Sequence, residues 1–201
     1  VGYDNIDVPA CAKRGVIVTN TPDAVTEGTA DMAFALLLAA ARRMSEGDRY
    51  VRSGAWAKRG ILGPREFIGR PIAGQKLLIV GAGRIGYATA LRSLGWGMRV
   101  LYVARSRKHD FESAPLNARR VDLDEGLREA DFVSVHTPLT PETRHLISAE
   151  RIALMKPTAV IVNTARGAVI DEPALAAALK DGRIFAAGLD VFEKEPGCHP
   201  A

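Results

Sequence analysis

A glycine-rich turn between an apolar run and a helical pattern constrains the fold of this chain more than any other stretch. Residues 77–80 are apolar and end in valine, which predicts a buried strand. Residues 81–86 read Gly-Ala-Gly-Arg-Ile-Gly and match the pattern G-x-G-x-x-G. Residues 87–94 keep Ala and Leu at helical spacing, and residues 100–103 form a second apolar run at the distance that a right-handed crossover needs. The stretch therefore predicts one complete β-α-β unit.

Each glycine of this turn has its own structural reason. Gly81 allows the tight turn, Gly83 lets a ligand approach the backbone, and Gly86 lets the helix pack closely on the strand. Backbone N–H groups at the start of the helix suit a pyrophosphate, which carries negative charge. A plain strand-turn-helix would also use glycines, but the strands on both sides favour a dinucleotide site. We predict that Gly81, Gly83, Arg84, Ile85 and Gly86 bind this cofactor.

The residues after the second strand indicate which dinucleotide binds. An acidic residue about twenty positions beyond the turn would hydrogen-bond the ribose 2′-hydroxyl of NAD(H), and none stands there. Residues 104–108 instead read Ala-Arg-Ser-Arg-Lys, and three cations with a hydroxyl suit a 2′-phosphate. A solvated basic loop is the alternative. We predict cofactor contacts from Ala104, Arg105 and Ser106, which favours NADP(H) and leaves NAD(H) open.

Strand and helix patterns alternate after this unit, which predicts an α/β fold with a doubly wound parallel sheet of Rossmann type. Residues 106–117, which follow the β-α-β unit, are predicted to form a polar loop. The further predicted strands are residues 132–136, 159–163 and 185–189, and the further predicted helices are residues 122–129, 148–155 and 171–182.

The first third of the chain predicts a helix and an arm outside the sheet. Residues 8–13 predict a short helix, residues 16–18 a strand, and the Asn-Thr-Pro-Asp at 20–23 a helix start. Ala and Leu on all sides of residues 32–41 predict a helix buried on most faces, against a domain or a partner chain. The polar helix and Gly/Pro-rich arm that follow, up to Gly74, carry aromatic residues that favour a dimer interface over a free surface.

Composition excludes several classes of protein. With 201 residues, 47% of them hydrophobic, the chain can build a core. The net charge of +4 is mild, and cations are not interleaved with aromatic residues, which argues against a nucleic-acid partner. Residues 32–41, the longest apolar run, are too short to span a membrane. Cys11 and Cys198 have no C-x-x-C spacing, which predicts no metal site and favours a reducing, cytoplasmic setting.

Ligands of open parallel sheets bind beyond the carboxyl ends of the strands. There we place Thr137, Pro138 and Thr164 as cofactor contacts. Arg166 leaves a buried strand on a turn of small residues, and its fork can bind a carboxylate while polarising a neighbouring carbonyl; a structural salt bridge is the equal alternative. Glu195 lies where a carboxylate could raise the pKa of a histidine, although by residue type Glu193 is as good, and a solvated loop acid is the commoner case.

These motifs together resemble the D-isomer-specific 2-hydroxyacid dehydrogenase family. The resemblance covers essentially the whole chain, and the Ala-Arg-Ser-Arg-Lys segment and the arm look most like its glyoxylate and hydroxypyruvate reductases. The motifs that carry it are G-A-G-R-I-G at 81–86, N-T-A-R-G at 163–167, D-V-F-x-x-E-P at 190–196, V-G-Y-D-N-I-D at 1–7, N-T-P at 20–22, T-A-D at 29–31 and H-T-P-L-T-P-E-T at 136–143.

The resemblance implies a dinucleotide domain inserted into a flavodoxin-like substrate domain. Residues 1–20 would be the tail of the first substrate-domain segment, and residues 21–201 a C-terminally truncated cofactor domain. That domain includes the helix and arm at 24–74, which their aromatic residues assign to a dimer interface. It implies that Arg166 binds the substrate carboxylate and carbonyl, and that Glu195, rather than Glu193, partners a catalytic histidine. Asp190 would lie close to the nicotinamide, and Val1 and Gly2 would touch the substrate.

The chain departs from the family pattern at the catalytic histidine. That residue belongs to a P-H-I-G-type motif beyond D-V-F-x-x-E-P, and the chain, which looks cut at both ends, stops before it. His199 stands too close to Glu195 to match. We interpret His136 as structural or cofactor-lining, and His109 and His145 as surface loop residues.

The activity implied for an intact homodimer is hydride transfer between NAD(P)H and a small 2-oxoacid, with glyoxylate or hydroxypyruvate as expected substrates. Phosphoglycerate and formate dehydrogenases are alternatives within the family, although the formate type carries glutamine in place of Glu195. A dinucleotide-sensing corepressor and an inactive fragment remain the alternatives outside enzyme catalysis.

Overall fold

Six parallel strands form one sheet within residues 2–197, the part of the chain that a computed structural model describes. The strands are β1 (Lys76–Val80), β2 (Arg99–Val103), β3 (Arg119–Arg120), β4 (Phe132–Val135), β5 (Val160–Asn163) and β6 (Ala186–Leu189). The helices are α1 (Val8–Lys13), α2 (Thr26–Ala41), α3 (Met44–Arg52), α4 (Ala55–Arg59), α5 (Arg84–Ser93), α6 (His109–Glu112), α7 (Leu123–Glu129), α8 (Ala149–Ile152) and α9 (Glu172–Lys180). No helix in this part has the length and apolarity needed to cross a membrane.

The strand order is β3-β2-β1-β4-β5-β6, and each neighbouring pair is parallel. In register, Leu78 lies beside Leu101 on one side and beside Val133 on the other. The direction in which successive strands are added reverses between β1 and β4. In doubly wound sheets this switch point opens a crevice at the carboxyl ends of the strands. The predicted fold class is confirmed.

The core lies in two layers on the two faces of the sheet. Because side chains alternate along a strand, Leu77 and Ile79 of β1 pack with α2 and α5, whereas Leu78 and Val80 pack with α7, α8 and α9. All four side chains are fully buried. Burial on both faces explains why these strands are continuous apolar runs rather than alternating ones.

Two expectations for residues before α2 were wrong. Residues 16–18, predicted as a strand, form none, and Ile17 is 87% exposed. A strand needs a neighbour for its N–H and C=O groups, and an apolar triplet does not supply one. The helix expected from residues 20–23 begins only at Thr26, whose N–H donates to the Asp23 carbonyl in a preceding turn at 3.1 Å.

Helix α2 was predicted to be buried on most faces, and within this chain it buries one. Its buried residues are Ala30, Ala33, Phe34, Leu37 and Ala41. Met32, on another side, is 43% exposed. The small residues on the buried face let α2 pack closely against α5, β5 and β6.

The predicted polar loop at 106–117 contains a short helix, α6, because Phe111 inserts its ring into the core beside Tyr102. The adjoining strand β3 was not predicted. It has two residues, both arginines, and pairs with β2 at the edge of the sheet. Neither an apolar run nor an alternating pattern marks such a strand.

Candidate active site

The glycine turn has the shape that was predicted from its sequence. Gly81 has φ of +104°, and a Cβ there would lie 2.8 Å from the carbonyl carbon of His136. A Cβ on Gly86 would collide with the carbonyl oxygen of Gly81. At Gly83, by contrast, a Cβ would meet no atom within 4 Å. Gly83 therefore faces open space, and a methyl group there would occupy room that a ligand can use.

The first turn of α5 can bind an anion. The helix begins at Arg84, and its cap residue, Gly83, has no side chain that could accept a hydrogen bond from the first N–H groups. The N–H groups at the start of a helix lack partners within the helix and carry a partial positive charge. Both properties suit the pyrophosphate of a dinucleotide.

Two buried hydroxyl groups at the same rim have no hydrogen-bond partner among residues 2–197. They are the Oγ1 atoms of Thr137, after β4, and Thr164, after β5. An unsatisfied buried polar group costs about 1–3 kcal/mol, so two of them at one rim indicate a place that a polar ligand completes. Thr26 Oγ1 and Tyr50 Oη share this condition elsewhere in the chain. The turn, the helix start and the two hydroxyls fit a dinucleotide.

His136 follows β4 directly, beside Thr137, and its side chain is neutral. Its Nε2 is 2.8 Å from Ser134 Oγ. Desolvation by burial lowers the pKa of His136 to about 4, because the charged imidazolium is disfavoured away from water. This geometry agrees with a structural or cofactor-lining role and does not suit a proton donor at neutral pH.

At the end of β2, Arg105 and Ser106 are exposed. A third participant, Arg120, was not predicted from its residue pattern. Its Nη2 donates to the carbonyl oxygen of Ala104 at 2.9 Å and to that of Arg105 at 3.2 Å. Arg120 thereby fixes the backbone of the loop that was predicted to meet the adenosine ribose.

Arg166 is held by a carboxylate that the sequence interpretation missed. Its Nε donates to Asp4 Oδ2 at 3.0 Å and its Nη2 to Asp4 Oδ1 at 2.8 Å. Its Nη1 donates to the Ala165 carbonyl at 2.7 Å. The hydrogen bonds to Asp4 raise the pKa of Arg166 and lower that of Asp4. Since a guanidinium has five N–H bonds, two remain for a ligand.

The turn that presents Arg166 is shaped by Asn163. The Asn163 side chain donates to the Arg166 carbonyl at 3.0 Å and accepts from the Ala165 N–H at 3.0 Å. Gly2 lies against the guanidinium, since a Cβ on Gly2 would collide with Nη2 of Arg166. The predicted substrate residues Gly2 and Arg166 are therefore neighbours, whereas Val1 and His199 lie outside the described residues.

The structure separates the two acids that the residue pattern left equal. Glu193 accepts from Arg144 Nη2 at 2.8 Å and lies 3.0 Å from Nε2 of His145, so it is committed to a neighbouring loop. Glu195 is exposed, accepts from the Phe192 N–H at 3.0 Å, and contributes after Asp4 to raising the pKa of Arg166. Of the two, Glu195 is the carboxylate within electrostatic reach of Arg166.

Asp190 is exposed at the end of β6, and its N–H donates to the Asn163 carbonyl at 3.0 Å. The loop after it crosses directly over Gly167, where a Cβ would collide with the Phe192 carbonyl. The loops after β5 and β6 are thus packed together, and they bring Asp190, Arg166 and Glu195 to the rim that also holds the glycine turn.

A family model for the D-isomer specific 2-hydroxyacid dehydrogenase NAD binding domain matches residues 34–200. A glyoxylate reductase of Pyrococcus horikoshii is 55% identical over 197 residues, which are 98% of this chain and 59% of that protein. The chain therefore spans about three fifths of the length of this curated relative.

Two solved structures have the same fold. An NADPH-dependent glyoxylate/hydroxypyruvate reductase from Sinorhizobium meliloti, in complex with NADP and malonate, superposes with a TM-score of 0.88 at 35% identity, covering 100% of this chain and 60% of that one. A D-lactate dehydrogenase from Aquifex aeolicus, complexed with NAD and lactic acid, gives 0.86 at 36%, covering 96% and 56%. The resemblance found in the motifs is confirmed: this chain belongs to the D-isomer specific 2-hydroxyacid dehydrogenase family.

Proposed function

We propose that this chain provides the cofactor domain of a reductase that transfers a hydride from NAD(P)H to the carbonyl carbon of a small 2-oxoacid, with glyoxylate or hydroxypyruvate as the expected substrate. The observation that carries the proposal is the position of Arg166. Its guanidinium lies beside Gly2 and within electrostatic reach of Glu195, at the rim where the dinucleotide turn ends β1. The glyoxylate reductases among its relatives support the choice of substrate.

The nicotinamide supplies the hydride, so the protein needs no nucleophile of its own. The N–H groups of Gly83 and Arg84 would hold the pyrophosphate, and the hydroxyls of Thr137 and Thr164 would bond to the rest of the nucleotide. The two remaining N–H groups of Arg166 would hold the substrate carboxylate and polarise its carbonyl oxygen. Positive charge placed where the alkoxide develops stabilises the transition state of the reduction.

The alkoxide also needs a proton. In this proposal a histidine from the family's P-H-I-G-type motif supplies it, and Glu195 accepts a hydrogen bond from that histidine and raises its pKa. His136 is unsuited to the task because its pKa is about 4 and its Nε2 is engaged by Ser134.

We propose NADP(H) as the preferred cofactor. Support comes from the exposed Arg105 and Ser106 at the end of β2 and from the lack of an acidic residue at the position that would bond a 2′-hydroxyl. The solved relatives include an NADP complex and an NAD complex.

We also propose a cytoplasmic homodimer. Beyond the core, α3, α4 and the arm expose large apolar side chains: Val51 is 53% exposed, Trp56 48%, Ile61 96% and Ile68 56%. Such a cluster suits burial against a second copy. Residues 1–20 fit the expected tail of a substrate domain, since α1 buries no residue. The half-buried free thiol of Cys11 suits a reducing compartment.

The test is steady-state oxidation of NADPH by an intact protein that contains this chain, with glyoxylate and hydroxypyruvate as substrates. We expect turnover that depends on the 2-oxoacid and is lost in Arg166→Gln. Tight binding of NADPH without turnover of any 2-oxoacid would contradict the proposal and favour the corepressor-like alternative.

A further inference from the structure

A hydrogen-bond network lies behind the loop that was predicted to meet the adenosine ribose. The hydroxyl of Tyr102, on β2, donates to Glu112 Oε1 at 2.7 Å and accepts from the Lys108 N–H at 2.9 Å. Glu112, on α6, also accepts from Arg107, at 2.9 Å from Nε and 2.6 Å from Nη2. The carboxylate of Glu112 thus joins the buried strand to the second arginine of the loop.

The acid is the fixed partner in this pair. Tyr102 is fully buried and its ring packs on Phe111, with centroids 4.9 Å apart. The Glu112 side chain is 18% exposed, whereas that of Arg107 is 70% exposed. Because the strand and α6 hold the carboxylate, the position of the Arg107 guanidinium follows from that of Glu112.

The ion pair between Arg107 and Glu112 determines which cations of the loop can bind a phosphate. Two N–H groups of Arg107 point at one carboxylate, and opposite charges at this distance largely cancel each other for a third group. Arg120 is directed at backbone carbonyls. The Arg105 side chain is exposed and makes no hydrogen bond with any residue in the 2–197 range. The pKa of nearby Glu142 is lowered mainly by a hydrogen bond with Thr140 and, to a smaller extent, by the charge of Arg105.

We propose that Glu112 is a specificity-determining residue: its ion pair withholds Arg107 from the adenosine 2′-phosphate, so that the preference for NADP(H) over NAD(H) depends on Arg105 and Ser106. The inference rests on the proposed function, because it concerns the cofactor of that same site. It means that only one of the two arginines of the loop, Arg105, is available to the phosphate beside Ser106, and that a neutral residue at 112 would release Arg107.

The experiment measures the dissociation constants of NADPH and NADH for the 201-residue chain by fluorescence titration. We expect Glu112→Gln to raise the preference for NADPH over NADH about tenfold, the effect of one added charge-assisted hydrogen bond. Arg107→Ala in the wild-type chain should leave the preference unchanged within about twofold, whereas Arg107→Ala in the Glu112→Gln background should remove the gain. Arg105→Ala should lower the preference in either background.

Two further variants separate the effect of this ion pair from a general change in surface charge. Glu125→Gln removes an acid of a comparable surface pair, 2.7 Å from Nη1 of Arg119, and should leave the preference unchanged. Tyr102→Phe keeps the buried ring, frees Glu112 from its anchor, and should shift the preference in the same direction as Glu112→Gln by a smaller factor.

The inference is overturned if Arg107→Ala weakens NADPH binding as much as Arg105→Ala does. It is also overturned if Glu112→Gln leaves the preference unchanged, or if Glu125→Gln raises it equally. These outcomes leave the proposed function standing, since both dinucleotides still bind. A wild-type chain that binds neither dinucleotide overturns the proposed function and this inference with it.

Discussion

Individual side chains fix part of the geometry of the site before a ligand binds. Asp4 holds the Arg166 guanidinium from one edge, and the Ala165 carbonyl takes a further N–H. The plane of the guanidinium is therefore set in advance, so less side-chain entropy remains to be lost when a carboxylate binds. The Asp4 carboxylate also compensates the positive charge, so that a substrate bound as proposed would meet an oriented pair of donors rather than an isolated cation.

The Asp4–Arg166 pair should contribute to stability in a pH-dependent way. Arg166 lowers the pKa of Asp4 below its ordinary value of 3.8 in the folded chain. The stabilisation is therefore present above that value and lost as the pH falls through the lower folded pKa. Since both side chains are partly exposed, Asp4→Asn should cost at most about 1 kcal/mol at pH 7.

Urea unfolding of Asp4→Asn and of the wild-type chain, at pH values from about 7 down to about 3, measures this effect. The difference between them should shrink below about pH 4. Asp48→Asn, which removes a surface partner of Arg52, is the matched control. A difference for Asp4→Asn that stays constant with pH would show that the ion pair is not its cause.

The charge of Arg105 should matter for one cofactor more than for the other. Arg105→Asp places an acid at the end of β2, which repels a 2′-phosphate and can accept a hydrogen bond from a 2′-hydroxyl. We expect the affinity for NADPH to fall about a hundredfold or more, as for a lost charged hydrogen bond plus repulsion, and the affinity for NADH to change little. Equal losses for both dinucleotides, measured by titration, would refute the assignment of Arg105 to the phosphate.

Elements differ in how far their sequence determines them. Strands β1, β2, β4, β5 and β6 were predicted within one residue at each end, because each is a run of mostly apolar residues. Strands β4 and β5 are buried throughout, as expected for the interior of a parallel sheet. Strand β3 was not predicted, because an edge strand of two arginines has no apolar pattern. Residues 16–18 were wrongly predicted as a strand, because an apolar triplet does not show whether a neighbouring strand is present. The glycine turn and Arg166 were predictable as local motifs, whereas Asp4 and Arg120 reach the site only through the tertiary fold.

The turn between β1 and α5 allows a contrast inside one motif. Gly81→Ala places a Cβ at φ of +104° and 2.8 Å from the His136 carbonyl carbon, so it should destabilise the fold by about 1–3 kcal/mol. Gly83→Ala meets open space at φ of −91° and should change stability by less than about 0.5 kcal/mol.

The effect on NADPH affinity should not follow the effect on stability: Gly83→Ala, which leaves the fold stable, should still weaken binding. The methyl group of Gly83→Ala fills space at the start of α5, and we expect NADPH affinity to fall about tenfold or more, as when a ligand loses close approach to backbone N–H groups. Thermal unfolding and NADPH titration of both variants check this contrast. If Gly83→Ala binds NADPH normally, the turn does not hold the pyrophosphate.

At the scale of the whole molecule, the predicted ligand-binding residues and the exposed apolar side chains lie in different regions. The carboxyl rim of the sheet collects the glycine turn, the loop after β2, Arg166 and Glu195. The apolar side chains of α3, α4 and the arm lie outside the core and expose Trp56 and Ile61. In our proposal, binding of the nucleotide and association of two copies would therefore use separate parts of the chain.

A dimer formed through α3, α4 and the arm should dissociate when a charge is placed on this surface. Trp56→Glu, at a side chain 48% exposed, should not disturb the fold, yet it should weaken association at least about tenfold, as for the loss of a buried aromatic anchor. Sedimentation velocity over a range of concentrations measures this. Trp96→Glu, with a side chain 42% exposed outside the arm, is the control, and a wild-type chain that sediments as a monomer at every concentration would contradict the dimer.

The proposed function requires one spatial arrangement: a dinucleotide lies along the rim of the sheet from the loop after β2 to Arg166. A crystal structure of the chain with NADPH tests it most directly. We expect the pyrophosphate to lie against the N–H groups of Gly83 and Arg84, with the nicotinamide ring beside Arg166. A nucleotide bound elsewhere, or a nicotinamide turned away from Arg166 into solvent, would contradict it.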